Sequence, residues 1–261
     1  MKNYDIEGQL CFDLSTDKSQ YVVQANTLVM ARQSLKLNSA KVMRTIIMQI
    51  KKEDEDLKTY NIGIMELAEL LGVNTSNLYA RVDEVTNEIL SSCVYMKAQN
   101  KEEFIKIPWV SVCGYESGLG LLIKINPVLK PYLLNLKKNY AQYQLEDILK
   151  MRSIYALRIY EMLIAETIMQ YLPREGTKIE IPLTTIRHCC DCEDKLQDYK
   201  NFKRIVLEVA SREIFEHTMY AVDYEGVKKT GRYVDTIVFT VKSAVYMTNE
   251  EILSFKQRHK I

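Results

Sequence analysis

Met151-Arg152-Ser153-Ile154-Tyr155-Ala156-Leu157-Arg158-Ile159-Tyr160-Glu161-Met162-Leu163 is answered further along the chain by Tyr199-Lys200-Asn201-Phe202-Lys203-Arg204-Ile205-Val206-Leu207-Glu208-Val209-Ala210. In the first stretch Ile154, Leu157 and, just beyond it, Ile164 share one side, with Arg158 and Glu161 on the other, the pattern of an amphipathic helix. The second reads as a helix with basic residues at its start. Between them lie a shorter apolar segment and a tight connection. After them come two strand-like runs, Met219 to Tyr224 and Tyr233 to Val241, joined by Lys228-Lys229-Thr230-Gly231-Arg232. Helix, helix, basic helix and basic hairpin is the layout of a winged helix that binds DNA.

The same plan recurs upstream. Asn61-Ile62-Gly63-Ile64-Met65-Glu66-Leu67-Ala68-Glu69-Leu70-Leu71-Gly72-Val73 aligns without a gap on residues 180–192, pairing Ile62 with Ile181, Ile64 with Leu183, Leu67 with Ile186, Leu71 with Cys190 and Val73 with Cys192. Each copy reads as a short strand and a helix, followed by a longer amphipathic helix. In the first copy that helix is expected from Ser76 to Ser91, burying Leu78, Val82, Val85 and Ile89, with Asn74-Thr75-Ser76 as its N-cap. In the second it is expected from Gln197 to Phe215, burying Phe202, Val206 and Val209. Strands are expected at Val94–Met96 and Phe104–Ile107, flanking a turn at Gln99-Asn100-Lys101, with a third at Leu121–Ile125. The predicted fold class is therefore α+β, with two tandem winged-helix domains related as degenerate repeats. We place an N-terminal tail at 1–25, a first domain at 26–145 and a second at 146–261.

A chain of 261 residues can bury two separate cores. Its 47% hydrophobic and 26% charged content is that of a soluble globular protein. No apolar run approaches the ~20 residues needed to span a bilayer, so no membrane partner is expected. The start, Met1-Lys2-Asn3-Tyr4-Asp5-Ile6-Glu7, carries acids and no hydrophobic stretch, which excludes a signal peptide and points to the cytoplasm. The six cysteines then read as thiols. With 35 basic and 34 acidic residues, net charge +1, any affinity for nucleic acid must come from local patches.

Those patches lie in the second half. The helix from Ser76 carries Arg81 against Asp83, Glu84 and Glu88, which opposes a phosphate backbone. The later helix begins with Lys200, Lys203 and Arg204, beside Gln197 and Asn201, whose amides can hydrogen-bond base edges. Lys228, Lys229 and Arg232 at the hairpin turn can reach flanking phosphates.

Other chemistry is not indicated. His188, Cys189, Cys190 and Cys192 lack the second ligand pair of a zinc site, and the repeat alignment puts Cys190 and Cys192 at core positions, so no metal is expected. His188, His217 and His259 are isolated from one another, and no Gly-rich phosphate loop is present, so neither DNA nicking nor ATP hydrolysis is expected and no cofactor is needed. No acidic metal-binding motif is present either, so the protein is not expected to be an enzyme. The run Glu53-Asp54-Glu55-Asp56 reads as a solvated loop.

Five islands carry a family resemblance: Asn26-Thr27-Leu28; Ile125-Asn126-Pro127-Val128-Leu129-Lys130-Pro131-Tyr132-Leu133; Tyr140 to Leu145; Ser153 to Leu163; and Tyr199 to Arg204. In order and spacing across residues 26 to 241, the chain resembles the replication initiators of iteron-bearing plasmids. The resemblance implies a protein that binds directly repeated origin DNA, starts theta-type replication with host replication proteins such as the helicase and host initiator, and contributes to plasmid copy control. A monomer would dock both domains on one repeat. A dimer formed through the first domain, in equilibrium with the monomer, would repress its own promoter. The resemblance also implies backbone contacts from Arg152, Ser153 and Tyr155; for Tyr155, core packing is an equal alternative. A tandem winged-helix transcriptional regulator would present the same DNA-reading parts.

Overall fold

The computed structural model describes residues 21–97, 103–167 and 172–261. Most of the expected tail and the turn at Gln99-Asn100-Lys101 lie outside the described residues. The described part opens with β1 (Tyr21–Ala25), α1 (Asn26–Val29), β2 (Arg32–Gln33) and α2 (Leu37–Met48). It continues with β3 (Thr59–Ile62), α3 (Ile64–Leu71), α4 (Leu78–Ser91), β4 (Cys93–Lys97), β5 (Phe104–Pro108), β6 (Val110–Glu116) and β7 (Gly120–Ile125). Then come α5 (Lys130–Leu133), β8 (Tyr140–Gln144), α6 (Glu146–Leu149) and α7 (Ile154–Glu166). The last part holds β9 (Thr177–Pro182), α8 (Leu183–Cys189), α9 (Tyr199–Phe202), α10 (Glu208–His217), β10 (Tyr220–Val227), β11 (Thr236–Ser243) and α11 (Asn249–His259).

The repeat seen in the sequence is a repeat of topology. One sheet has the order β3-β7-β6 and another the order β9-β11-β10, so in each unit the strand before the short helix pairs with the last strand of the hairpin. The aligned Ile62 and Ile181 occupy matching positions, opposite Leu121 and Ile237. Ile64 and Leu183 each open the helix that follows. Even the exit from that helix is shared. Gly72 is left-handed at φ 65°, with its N–H bonded to the Glu69 carbonyl and that of Val73 to the Ala68 carbonyl. Asp191 takes the same place at φ 49°, with N–H groups of Asp191 and Cys192 on the carbonyls of His188 and Arg187. Glycine suits this conformation, and aspartate is among the few other residues that tolerate it.

Several expectations are corrected. Residues 21–25, assigned to the tail, form β1, which pairs antiparallel with β8 and buries Val22 and Gln24. β4 and β5 pair with each other as expected, with β2 on the other side of β4, but the third expected strand, β7, lies in a separate sheet between β3 and β6, a strand the alternation did not reveal. Its burial does not alternate, so a period of two could not signal it. Asn74-Thr75-Ser76 supplies no side-chain cap; α4 starts later, after a 3-10 turn at Thr75–Asn77. Asp54 is buried rather than solvated, accepting the Lys51 N–H at 2.9 Å and pairing with Lys58, and so it folds its own loop.

The largest correction concerns Arg158 and Glu161, expected on the polar side of α7. Both are buried, because α7 is covered on that side by α1 and α2. Glu161 accepts hydrogen bonds from Arg44 Nε (2.8 Å), Arg44 Nη2 (2.9 Å), Arg158 Nη1 (2.6 Å), Gln24 Nε2 (2.9 Å) and the Tyr143 hydroxyl (2.5 Å). Arg158 also donates to the carbonyls of Val29, Ala31 and Cys189, so one side chain ties the end of α1 to α8 of the second unit. The Cys189 thiol donates to the Met30 carbonyl beside it. Near the surface Arg32 adds ion pairs to Asp191 and Glu193 at 3.2 and 3.0 Å. The apolar core runs without a break through both units around this polar knot. Cys189, Cys190 and Cys192 are part of it, and burial pushes the thiols of Cys189 and Cys192 up to about 11, which leaves them unreactive.

Candidate nucleic-acid interface

The basic helix of the second unit is prepared by its neighbours. Asp198 caps it, its carboxylate accepting the Asn201 N–H at 2.8 Å. Arg187 on α8 holds the loop that leads in, donating to the carbonyls of Lys195, Leu196 and Gln197 at 3.2, 2.8 and 3.2 Å. Its guanidinium lies 4.5 Å from the Phe202 ring, so it also packs on the helix it positions.

The helix then departs from regular geometry. Between α9 and α10, Lys203–Leu207 forms a π turn, which accommodates an extra residue. This overturns the expected burial of Val209. The apolar stripe runs instead through Phe202, Val206, Leu207, Ala210 and Ile214, while Val209 is only half-buried. Lys200, Asn201, Lys203 and Arg204 are left exposed together at the start of the helix.

The hairpin β10–β11 stands directly against that end. Its register runs from Tyr220 opposite Ser243 to Val227 opposite Thr236, and Lys228 to Tyr233 project beyond it, exposed. Two contacts join wing to helix. A Cβ on Gly226 would come within 2.9 Å of Val234 and closer still to the Tyr199 hydroxyl, so an added methyl would displace the Tyr199 ring from its place on the wing strand. Lys203 Nζ sits 5.9 Å from the Tyr224 ring. Lys200, Asn201, Lys203 and Arg204 therefore share one surface with the wing that carries Lys228, Lys229 and Arg232. Gln197 lies just before the cap, exposed, with its side-chain amide on the Glu193 carbonyl.

Arg152 and Ser153 are not part of this cluster. Their N–H groups donate to Glu213 at 2.9 and 3.1 Å, ten residues beyond Lys203 and so about 15 Å along the helix. Arg152 is exposed, whereas the Ser153 oxygen caps α7 by accepting from the N–H groups of Tyr155 and Ala156. Tyr155 is half-buried against the core. Sequence reasoning missed Asp198, Arg187 and Gly226; an aspartate just before an apolar-periodic run was a readable cap signal for the first of them.

The first unit is built differently at the same places. Along α4, Arg81 pairs with Glu84, Asn87 donates to Asp83 at 3.2 Å, and Glu88 accepts the Lys36 N–H at 2.5 Å. The β6–β7 turn, Ser117-Gly118-Leu119, has no basic residue. Among the described residues no group of three or more His, Cys, Asp or Glu side chains is placed to hold a metal, and no helix is long and apolar enough to cross a membrane.

A family model described as Initiator Replication protein, WH1, matches residues 21–164, and one described as Initiator Rep protein, WH2, matches residues 182–241. The chain belongs to the initiator replication protein family. Its fold is similar to that in the crystal structure of Pi initiator protein in complex with iteron DNA, covering 87% of this chain and 98% of that one, with a TM-score of 0.68 and 19% sequence identity. All three residues of the Arg44–Glu161–Arg158 knot lie within the first match, and Arg158 reaches the second through the Cys189 carbonyl.

Proposed function

We propose that this initiator starts plasmid replication by binding directly repeated origin sequences, and that it acts in the cytoplasm by binding, without catalysing a reaction or needing a cofactor. The observation that carries this reading is the joining of the exposed basic start of the second unit's long helix to a basic wing through Tyr199 on Gly226. Such a surface sets side chains against base edges while the wing meets flanking phosphates. Family membership and the likeness to an initiator crystallised on iteron DNA support it. The second unit is the principal reader. The first unit, with its acids along α4, adds a secondary contact about one helical turn away. Opening of adjacent AT-rich DNA and loading of the host helicase follow.

Autorepression as a dimer belongs to the same proposal. In β5, an edge strand, Phe104 and Ile105 are 57% and 51% exposed, a surface suited to a second copy of the first unit. Supplying the gene in trans to a replicon that lacks its own initiator tests the function. Replication is the expected result; promoter repression without replication would make the protein a tandem winged-helix regulator instead.

A further inference from the structure

The second wing carries an acid where contact with phosphate alone would exclude one. Asp235 lies at the base of the turn that presents Lys228, Lys229 and Arg232, and a negative charge there opposes an approaching backbone. Its carboxylate is nevertheless fully engaged. Oδ2 accepts from the Thr230 hydroxyl (2.6 Å) and the Thr230 N–H (2.7 Å), and Oδ1 from the Lys229 N–H (3.1 Å) and the Thr236 hydroxyl (2.9 Å). The main chain of the same residue closes the hairpin, its N–H on the Val227 carbonyl at 3.1 Å, and its carbonyl receives the Leu183 N–H at 2.8 Å. One residue thus grips the tip of the wing with its side chain and the start of α8 with its backbone. Hydrogen bonds from Thr230 and the Lys229 N–H hold the carboxyl far below the usual carboxylate range, so it stays charged in neutral solution.

The segment Lys228–Asp235 between the strands would be costly to order on DNA, because its tip has no apolar packing: Lys228 to Tyr233 are all exposed. The wing of the first unit needs no such device, since its turn is short and closes with the Leu119 N–H on the Glu116 carbonyl. We infer that Asp235 is a positioning residue for DNA binding: it holds the wing in one turn so that Lys228, Lys229 and Arg232 meet phosphates already ordered, an effect that outweighs its own repulsion. This rests on the reading of the wing as a phosphate-contacting element. Lys229 is paired with Glu180 in the free protein and exchanges that partner for a phosphate.

The test uses the full chain and labelled duplex DNA carrying one direct repeat of the cognate origin, with affinity measured across a salt series. Four variants are compared: Asp235→Ala, Asp235→Asn, the triple change of Lys228, Lys229 and Arg232 to alanine, and the triple change combined with Asp235→Ala. Asp235→Ala is expected to weaken binding and to lower the slope of log affinity against log salt by roughly 1 to 2. Asp235→Asn, which keeps an acceptor oxygen, falls between it and the native protein, and Asp235→Ala costs nothing further in the triple background. Tighter binding by both single variants, as removal of a negative charge alone would give, overturns the proposal. If the triple change leaves the slope unmoved, the wing reading itself fails, and the proposal with it. Amide exchange without DNA gives a second check: the Lys229 and Thr230 N–H groups are protected in the native protein and lose protection in Asp235→Ala. Unchanged protection refutes the clamp.

Discussion

Replacing Glu161 with leucine removes one carboxylate and strands two arginines in the interior. The cost follows from the geometry. Glu161, Arg44 and Arg158 are all essentially inaccessible to water, and five hydrogen bonds converge on the single carboxylate. Breaking a buried ion pair by removing one partner costs about 3–5 kcal/mol, since the remaining charges lose compensation without regaining water. The carboxyl's depressed pKa points the same way. Burial opposes ionisation of Glu161, but Arg44 and Arg158 outweigh it and hold the carboxyl at about 2, against an ordinary value of 4.5. A folded-state value depressed in this way contributes stability that is complete above the unfolded value and is lost as pH falls from 4.5 towards 2; the amount is about 3 kcal/mol. Urea unfolding of native protein and Glu161→Leu at pH 7 should therefore differ by about 3–5 kcal/mol, and the difference should shrink as both are taken below pH 4.5. A difference under about 1 kcal/mol at pH 7, or one that does not change with acid, would refute the role given to this knot.

Three further outcomes are expected. Lys200→Ala with Lys203→Ala should abolish sequence-specific binding by fluorescence anisotropy and leave the circular dichroism spectrum unchanged, because neither side chain belongs to the apolar stripe; the melting temperature should fall only slightly, from loss of the Lys203 contact with the Tyr224 ring. Gly226→Ala should lower stability by about 1–3 kcal/mol in denaturant titrations and weaken DNA binding as well, since the new Cβ displaces the Tyr199 ring that joins helix to wing. Ile105→Lys should shift the protein towards monomer by light scattering, raise binding to single origin repeats and weaken repression at its promoter.

The two-unit plan was legible because it is local. Ile62 and Ile181, and Leu67 and Ile186, follow from spacing within a dozen residues or so, and the basic helix and wing from clusters of charge. What was not legible depends on distant partners. Glu161 looked solvent-facing because Arg44, which neutralises it, lies 117 positions away in sequence. The π turn at Lys203–Leu207 re-phases a helix whose composition reads as regular, so Val209 seemed a core residue in place of Leu207 and Ala210. The wing clamp was hidden for the same reason: Asp235 is an unremarkable acid until the hairpin folds back on Lys229 and Thr230. By contrast, α11 was readable and missed, for Thr248 and Glu251 form a capping box of ordinary spacing.

The central claim is that the second unit's basic helix and wing read repeated origin DNA. Its most direct test is anisotropy at fixed salt, comparing a duplex carrying one origin repeat with a scrambled duplex of the same composition. The account predicts binding to the repeat at least about 1,000-fold tighter than to the scrambled sequence. Equal affinity for the two would contradict it.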